Sequence, residues 1–265
     1  MTRALRILIT NDDGVDAPGL ALMREIAAEL SDDVWVVAPE GNQSGAGHRL
    51  SFGQELALRQ RDARTFAVSG SPADCVVAGF THVLADRAPD LVLSGVNNGQ
   101  NLGDIISCSG TAAGAREGTM QGALGIAMSQ AINYAVDREV NWACARAFGA
   151  QVVRSLLDSV GETGGRRDVY YNVNFPFCAP EDVSGVRLAA HQRFSRSPFR
   201  YYASHNDGHF FVAIPETPLP LDPEGDFHLL HHGNAITVTP LSLVQTDAEA
   251  LRSLEGRLHV TPPRR

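Results

Sequence analysis

The chain has 265 residues, enough for one large α/β domain or two small ones with a substantial buried core. Its formal net charge of -8 argues against a partner that is polymeric nucleic acid, although a bound cation can still attract a phosphorylated small molecule. All 22 basic residues are arginine, which excludes Schiff-base chemistry and the lysine of a phosphate-binding P-loop.

The cysteines and the apolar segments indicate a soluble, cytoplasmic protein. The four cysteines are scattered and form no Cys-x-x-Cys pair, which is typical of reduced thiols inside the cell. The apolar run before Asn11 is too short for a signal-peptide core, and no run approaches the roughly 20 apolar residues of a membrane span. We therefore expect no membrane partner.

The first forty residues predict a β-α-β unit. The apolar run 5–9 predicts a buried strand, and apolar residues at helical spacing follow Pro18, which suits a first helical turn. The run 34–38 predicts the next strand, and such a unit is parallel and right-handed by strong default. Residues 11–14 therefore lie where a parallel sheet opens its ligand crevice.

Asp12 and Asp13 at this strand end suggest a site for a hard cation, which takes oxygen ligands. Successive strand residues point to opposite faces, so both carboxylates can face one ligand only if the chain is already turning. Gly14 permits such a turn. The alternative interpretation is an ordinary solvated turn rich in Asp and Asn.

The next segment combines a glycine-rich loop with a hairpin and a helix start. Loop 39–51 follows the second strand and carries Asn42 and Ser44, but it lacks the third glycine of a dinucleotide-binding fingerprint. Residues 55–69 predict a hairpin. Residues 71–74 predict a capped helix start, and capping alone explains their composition.

A second polar stretch follows the predicted strand 91–93. Residues 94–104 are rich in asparagine and glycine, and amide oxygens and bare backbone N–H groups suit metal and phosphate contacts. Shortly after, residues 109–111 open a segment of small residues. A helix N-terminus binds anions through its free N–H groups, although helix capping is again an alternative. We predict phosphate contacts from Asn101, Ser109, Gly110 and Thr111.

The remaining chain predicts a strand at 124–129, a long helix at 140–160, a break at 161–167 and a strand at 169–173.

Beyond Pro176 the character changes. Residues 193–211 are aromatic and polar without a clean period, and 216–226 are rich in proline, which favours a lid or an oligomer contact. A late strand at 235–240 and a terminal helix at 248–258 are predicted. Three histidines fall at helical spacing: His228, His231 and His232. Histidines in such a pattern are more often solvated or at an interface than ligands of one metal ion.

Three loops that follow predicted parallel strands thus carry the polar residues. If the strands are neighbours, these loops converge on one crevice. Their oxygen-bearing side chains fit Mg²⁺, Mn²⁺ or Ca²⁺ better than structural zinc. The residues are Asp12, Asp13, Asn42, Ser44, Asn97, Asn98 and Asn101.

Several motifs, in order along nearly the whole chain, resemble the SurE stationary-phase survival proteins, which are metal-dependent 5′(3′)-nucleotidases. The motifs are Asn11 to Gly14, Asn42 to Gly45, Gly70 to Cys75, Ser94 to Gly118, Asn172 to Pro176 and Thr237 to Leu241. Two positions depart from the family pattern, since Ser71 replaces the usual threonine and Cys108 a frequent aromatic residue or histidine.

The resemblance implies a single domain over 1–265 with a Rossmann-like three-layer α/β/α fold and a mostly parallel sheet. The C-terminal part, about 190–265, would carry a lid or oligomerisation excursion and an extended arm exchanged in a homodimer or homotetramer. It further implies one divalent metal cation per subunit, Mg²⁺ or Mn²⁺, with the ligands Asp12, Asp13, Ser44 and Asn97.

The expected reaction is hydrolysis of nucleoside monophosphates to nucleoside and phosphate, at the 5′ position alone or at both the 5′ and the 3′ positions. Asp12 and Asp13 are the predicted catalytic residues, either of which would orient or deprotonate the attacking water. An aspartyl-phosphate route, a metal-dependent amide hydrolase and a broad sugar-phosphate phosphatase remain alternatives among enzymes. A non-catalytic nucleotide sensor and a purely structural oligomer are the alternatives outside enzymes.

Overall fold

The computed structural model describes residues 4–133, 136, 139–162, 168–214, 217 and 219–258. Their strands, in chain order, are β1 (Arg6–Thr10), β2 (Asp33–Pro39), β3 (Leu58–Asp62), β4 (Thr65–Val68), β5 (Leu91–Asn98), β6 (Leu124–Gln130), β7 (Val169–Phe175), β8 (Gly185–Leu188), β9 (Arg200–Ala203), β10 (Phe210–Ala213) and β11 (Ala235–Ser242). Their α-helices are α1 (Pro18–Ala28), α2 (Pro72–Ala78), α3 (Gly110–Met120), α4 (Ala143–Glu162), α5 (Asp226–His231) and α6 (Ala248–Leu254).

A nine-stranded sheet organises the molecule, with the strand order β3-β4-β2-β1-β5-β6-β7-β11-β8. The run from β4 to β7 is parallel throughout, whereas β3 pairs antiparallel with β4 and β11 antiparallel with β7. The remaining strands, β9 and β10, form a separate antiparallel hairpin. The predicted mostly parallel α/β fold is therefore confirmed, and β1 lies beside β5 near the middle of the sheet.

Helices cover both faces of the sheet. Ile7 and Ile9 belong to the larger core cluster, which includes side chains of α1 and α4. Leu8, which points the other way, belongs to a second cluster with residues of α2. Helix α3 packs against both α2 and the strands β5 and β6. This arrangement gives three layers, with α1 and α4 on one face and α2 and α3 on the other.

The small residues of α3 let this helix approach the sheet closely. A Cβ atom on Gly114 would lie 2.6 Å from Ser94 Oγ, and one on Gly118 would lie 2.5 Å from Val92 Cγ2. These distances are shorter than any normal contact, so larger side chains would push the helix away. The N-terminus of α3 is consequently held against the carboxyl end of β1.

Some sequence-based boundaries are corrected. The fifth strand runs on to Asn98 because its pairing with β6 continues to that residue, although its pairing with β1 ends at Ser94. Residues 94–98 of the predicted 94–104 loop are therefore part of the sheet. Strand β8 was not predicted, since it is short, largely exposed and lies at the sheet edge. Helix α4 continues through Glu162, so the predicted break at 161 is wrong, and 163–167 lie outside the described residues.

The C-terminal part contains more regular structure than its sequence predicts. Segment 193–211 includes β9 and the start of β10, and every residue of these two strands is exposed. The predicted terminal helix ends at Leu254, and none of its residues is buried. Among the described helices, none is long and apolar enough to cross a membrane.

Candidate active site

The turn after β1 is built around Asn11. Its side-chain Nδ2 donates to the Gly14 carbonyl at 2.9 Å, and its Oδ1 accepts from the Gly14 N–H at 3.3 Å. Gly14 has a φ of 108°, which a residue with a side chain rarely adopts. The turn thereby presents Asp12, 4% exposed, and the less buried Asp13 at the carboxyl edge of the sheet.

Asp12 faces the N-terminus of α3. Thr111 Oγ1 donates to Asp12 Oδ1 at 2.6 Å. A Cβ atom on Gly110 would lie 2.7 Å from Asp12 Cβ and 2.9 Å from its Oδ2, so only glycine fits at this position. Ser109 caps the helix, since its Oγ accepts from the Ala112 N–H at 3.0 Å. The helix start therefore fixes one side of the Asp12 carboxylate.

Asp13 is tied to the end of β5. Its Oδ2 accepts from the Asn98 N–H at 3.2 Å. The neighbouring Asn97 donates a hydrogen bond from its side-chain Nδ2 to the Gly99 carbonyl at 2.7 Å. Because Nδ2 is the donor in this bond, the amide oxygen Oδ1 is the atom of this side chain that could accept a cation. The carboxylate of Asp13 and the amide of Asn97 are thus set by one strand end.

The glycine-rich loop that carries Ser44 closes the third side. The Gln43 N–H donates to the Asp12 carbonyl at 2.6 Å, and the Ser44 N–H donates to Asn42 Oδ1 at 2.7 Å. Together with the contacts of Asp13, these bonds confirm the predicted convergence of the three loops. The metal role of Asp12, Asp13, Ser44 and Asn97 remains a prediction.

A partly buried contact between His48 and Glu117 anchors the far end of the same loop. His48 Nε2 lies 2.8 Å from Glu117 Oε2, on α3, and Glu117 also accepts from Gln121 Nε2 at 2.8 Å. Burial acts to raise the Glu117 pKa, but the bonds from His48 and Gln121 outweigh it and lower the pKa. No local sequence pattern indicates this contact, because the two partners are 69 residues apart.

Both site carboxylates are held in surroundings that disfavour their charge. Burial raises the pKa of Asp12; the Thr111 hydrogen bond opposes this effect, and the neighbouring Asp13 charge adds to it. Burial likewise raises the pKa of Asp13, against the hydrogen bond from Asn98. The donors that reach these carboxylates, which include Thr111 Oγ1, the Asn98 N–H and the backbone N–H groups of Asp12 and Thr111, are all neutral. A divalent cation would supply the missing positive charge, so the residues fit such an ion.

The predicted phosphate-binding residues lie together beside Asp12. Asn101 is buried, and its Nδ2 donates to Ser129 Oγ at 3.0 Å and to Thr111 Oγ1 at 3.4 Å. The Thr111 hydroxyl thus lies between Asn101 and Asp12. Ser109 and Gly110 form the first turn of α3 at the same place. The phosphate roles of all four residues remain predictions.

A cavity of about 660 Å³ borders the site on the side of Asp13. This volume is within the usual range for small-molecule sites. Asp13, Asn98 and Trp142 are among its lining residues, whereas Asp12 is not. Of the two site carboxylates, Asp13 is therefore the one that faces the cavity.

The three histidines considered as a metal triad lie elsewhere. His228 and His231 belong to α5, and His232 follows it; the rings of His228 and His232 are 4.9 Å apart, and His231 packs on Phe227. In the part of the chain that the structure describes, no three His, Cys, Asp or Glu side chains are grouped so as to hold a metal. The triad interpretation is therefore wrong for these residues.

The fold and the site place this chain among Rossmann-like α/β proteins whose ligands bind at the carboxyl ends of parallel strands. The sequence model of one family, described as "Survival protein SurE", matches residues 7–197. The chain belongs to this family, as the motifs predicted.

Curated relatives and a solved structure extend the match over most of the chain. The "5'-nucleotidase SurE" of Methylobacterium radiotolerans is 47% identical over 251 residues, covering 93% of this chain and 96% of that protein. The protein of the same name from Afipia carboxidovorans is 44% identical, covering 92% and 95%. The crystal structure of the SurE protein from Aquifex aeolicus superimposes with a TM-score of 0.80 at 31% identity, covering 94% of this chain and 98% of that chain.

Proposed function

We propose that this chain is a 5′-nucleotidase that hydrolyses nucleoside monophosphates to nucleoside and phosphate with the aid of a divalent cation. The predicted nucleotidase class is confirmed by the curated relatives, each of which is named a 5′-nucleotidase. The observation that carries the proposal is the pair of adjacent carboxylates, buried Asp12 and half-buried Asp13, which have neutral hydrogen-bond donors at the edge of a cavity of about 660 Å³.

One cation per subunit, Mg²⁺ or Mn²⁺, would be held by oxygen atoms of four residues. These are Asp12, Asp13, Ser44 and Asn97. Such an ion, when bound, polarises phosphoryl oxygens and lowers the pKa of water. The all-oxygen donor set supports a hard cation of this kind.

The chain's own groups would bind and orient the phosphate. The Gly110 N–H and the Ser109 hydroxyl at the first turn of α3 form a favourable site for an anion because the helix dipole is positive there, and Thr111, which bonds Asp12, would hold the carboxylate beside the phosphate. We assign the task of orienting the attacking water to Asp13, since it lines the cavity while Asp12 is buried. The nucleoside would occupy the cavity beside Asp13.

A phosphate-release screen tests the proposal. Nucleotides and sugar phosphates are compared with Mg²⁺, Mn²⁺ or a chelator, using wild type, Asp12→Asn and a matched control, Asp32→Asn, at the exposed amino edge of the sheet. We expect metal-dependent release from nucleoside monophosphates that falls at least about 10²-fold in Asp12→Asn and stays unchanged in the control. Preferred release from sugar phosphates, or tight nucleotide binding without turnover, would instead support the phosphatase or sensor alternatives.

We also propose a cytoplasmic homodimer or homotetramer assembled through the C-terminal part, about 190–265. The four cysteines are free thiols, which supports a reducing compartment. Tyr201, Phe210 and Phe211 on the β9–β10 hairpin are exposed, and exposed aromatic patches favour protein contacts. Replacing Tyr201 and Tyr202 by alanine should lower the oligomer mass in light scattering. An unchanged mass and unchanged substrate preference would remove this surface from consideration.

A further inference from the structure

Two buried asparagines interrupt an otherwise apolar strand. Asn172 and Asn174 alternate on β7 and are fully buried. Their side chains share the face of Tyr170, which packs against α3, while Val173 and Phe175 belong to the core on the opposite face. Burying an amide without partners is unfavourable, and among the described residues every polar side-chain atom of the two asparagines except Asn172 Oδ1 has a hydrogen-bond partner.

The two asparagines clamp the main chain of Asn101. The Asn101 N–H donates to Asn174 Oδ1 at 2.8 Å, and Asn174 Nδ2 donates back to the Asn101 carbonyl at 3.0 Å. Asn172 Nδ2 donates to the same carbonyl at 2.8 Å. One loop residue after β5 is thereby held by three hydrogen bonds from a strand more than seventy residues away.

Hydrogen bonds continue from Asn101 to the carboxylate of Asp12. The Asn101 amide donates to Thr111 Oγ1 at 3.4 Å, and Thr111 Oγ1 donates to Asp12 Oδ1 at 2.6 Å. A hydroxyl has a single hydrogen, so a donor on its acceptor side directs that hydrogen toward the carboxylate. Because the residues that form this series of hydrogen bonds are buried, water competes little with the bonds.

We propose that Asn174 is a positioning residue that holds the Asp12 carboxylate in its metal-binding orientation through Asn101 and Thr111. The inference rests on the proposed function, since it takes Asp12 as a ligand of the divalent cation. Outer hydrogen-bond partners of metal ligands fix ligand orientation, and their loss typically weakens metal binding about 10- to 100-fold.

Mn²⁺ affinity, measured by calorimetric titration of the full chain, tests this relay without relying on activity. Asn174→Ala should weaken Mn²⁺ binding about tenfold, and Thr111→Val at least as much. Thr111→Ser, which keeps the hydroxyl, should bind like wild type. The double variant Asn174→Ala/Thr111→Val should bind no more weakly than Thr111→Val alone, because both changes break the same path.

Thr239→Val is the matched control. Thr239 pairs with Asn172 across β11 and β7, and its buried hydroxyl has no hydrogen-bond partner among the described residues. The control should therefore retain wild-type Mn²⁺ affinity. If Asn174→Ala does not fold, Asn172→Ala, which removes a single bond to the Asn101 carbonyl, replaces it in the cycle and should show a smaller loss.

The outcomes separate the relay from the metal site itself. Unchanged Mn²⁺ affinity in Asn174→Ala, or losses that simply add in the double variant, would overturn the relay. Asp12→Asn distinguishes the two proposals. If Asp12→Asn loses Mn²⁺ binding while Asn174→Ala does not, the relay fails and the metal site stands. If Asp12→Asn binds Mn²⁺ like wild type, the metal site fails and the relay with it.

Discussion

Asp12 lies between strand β1 and helix α1, and Asp74 lies in the first turn of helix α2, which follows strand β4. Each has a glycine packed against its carboxyl group and accepts a hydrogen bond from a hydroxyl. Asp74 accepts hydrogen bonds from the Ser71 N–H at 2.8 Å and from the N–H and Oγ of Ser51 at 2.9 and 2.8 Å. Burial acts to raise the Asp74 pKa, but these bonds lower it overall. Asp12 has the opposite balance, because burial prevails and its pKa is raised.

This difference separates a structural carboxylate from a candidate functional one. Asp74 completes a capping box with Ser71, so its charge is satisfied within the protein. Asp12 and Asp13 lie side by side, and their hydrogen bonds do not outweigh burial, so the pKa of each is raised. Perturbed carboxylates beside a cavity are typical of functional sites, whereas a satisfied cap needs no ligand.

The largest expected effect concerns catalysis. Asp13→Asn should lower the metal-dependent rate of phosphate release at least about 10²-fold, because it removes a charged group at the reacting centre. Asp74→Asn should stay within about twofold of wild type, since it changes only a helix cap. Steady-state kinetics on both purified variants measures this, and equal losses in the two would erase the distinction.

Gly110→Ala should weaken Mn²⁺ binding on the order of tenfold, the range seen when a metal ligand loses its supporting contacts. The added Cβ would lie 2.7 Å from Asp12 Cβ, so either the carboxylate or α3 must move. Gly161→Ala, near the end of α4, is the control, because its Cβ would meet nothing within 4 Å. Wild-type affinity in Gly110→Ala would show that Asp12 is not held against the helix.

In the presence of a chelator, Asp74→Asn and Asp12→Asn should change the free energy of unfolding in opposite directions. Asp74→Asn should lower the free energy of unfolding by about 1 kcal/mol, the usual value of a cap. Asp12→Asn should raise it at neutral pH, because a charge disfavoured by burial is removed. Urea unfolding of both variants and wild type at pH 7 measures the two changes. A stabilised Asp74→Asn would contradict the assignment of Asp74 as a cap.

The pH dependence follows from the same pKa directions. A raised folded-state pKa at Asp12 and Asp13 means that metal-free wild type loses stability as the pH rises from the usual carboxyl pKa through the folded value. The lowered pKa of Asp74 contributes stability above the usual pKa and loses it as the pH falls through the folded value. Replacing each residue by asparagine should remove that residue's contribution to the pH dependence of the free energy of unfolding, measured by urea unfolding at a series of pH values.

The smallest effect is expected at His48. Glu117 resembles Asp74 in having a lowered pKa and satisfied oxygens, yet its partner His48 anchors the loop that carries Ser44. His48→Ala should raise KM for the nucleoside monophosphate only a few-fold, in line with a loop anchor outside the reacting centre. His48→Gln, which keeps a donor, should recover part of the loss. No change in KM for His48→Ala would show that the loop does not depend on this contact.

Local sequence patterns were sufficient to locate the site's strand ends. The apolar runs predicted β1, β2 and β6, and the residues that follow β1 stand at the sheet edge as expected. The course of β5 was not predictable, because Ser94 and Gly95 have little strand preference and are in the sheet through burial between neighbours. At such positions, burial in the folded protein and not local strand preference determines the secondary structure.

Long-range polar contacts were beyond the reach of the sequence alone. The clamp of Asn101 by Asn174 joins residues 73 positions apart, and neither position has a local motif that names its partner. A weaker signal existed, since two asparagines alternate in the otherwise apolar strand that contains Asn172. Period-two polar residues in a buried strand indicate that one face packs against something polar.

The most direct test of the account follows metal occupancy and turnover together. Mn²⁺ is returned stepwise to chelator-treated protein while phosphate release from adenosine 5′-monophosphate and bound Mn²⁺ are measured in the same samples. The account predicts that the rate rises in proportion to occupancy and saturates at one ion per chain, and that the Asp12→Asn/Asp13→Asn variant shows neither binding nor turnover. Full activity in the chelator-treated wild type, or an active double variant, would contradict it.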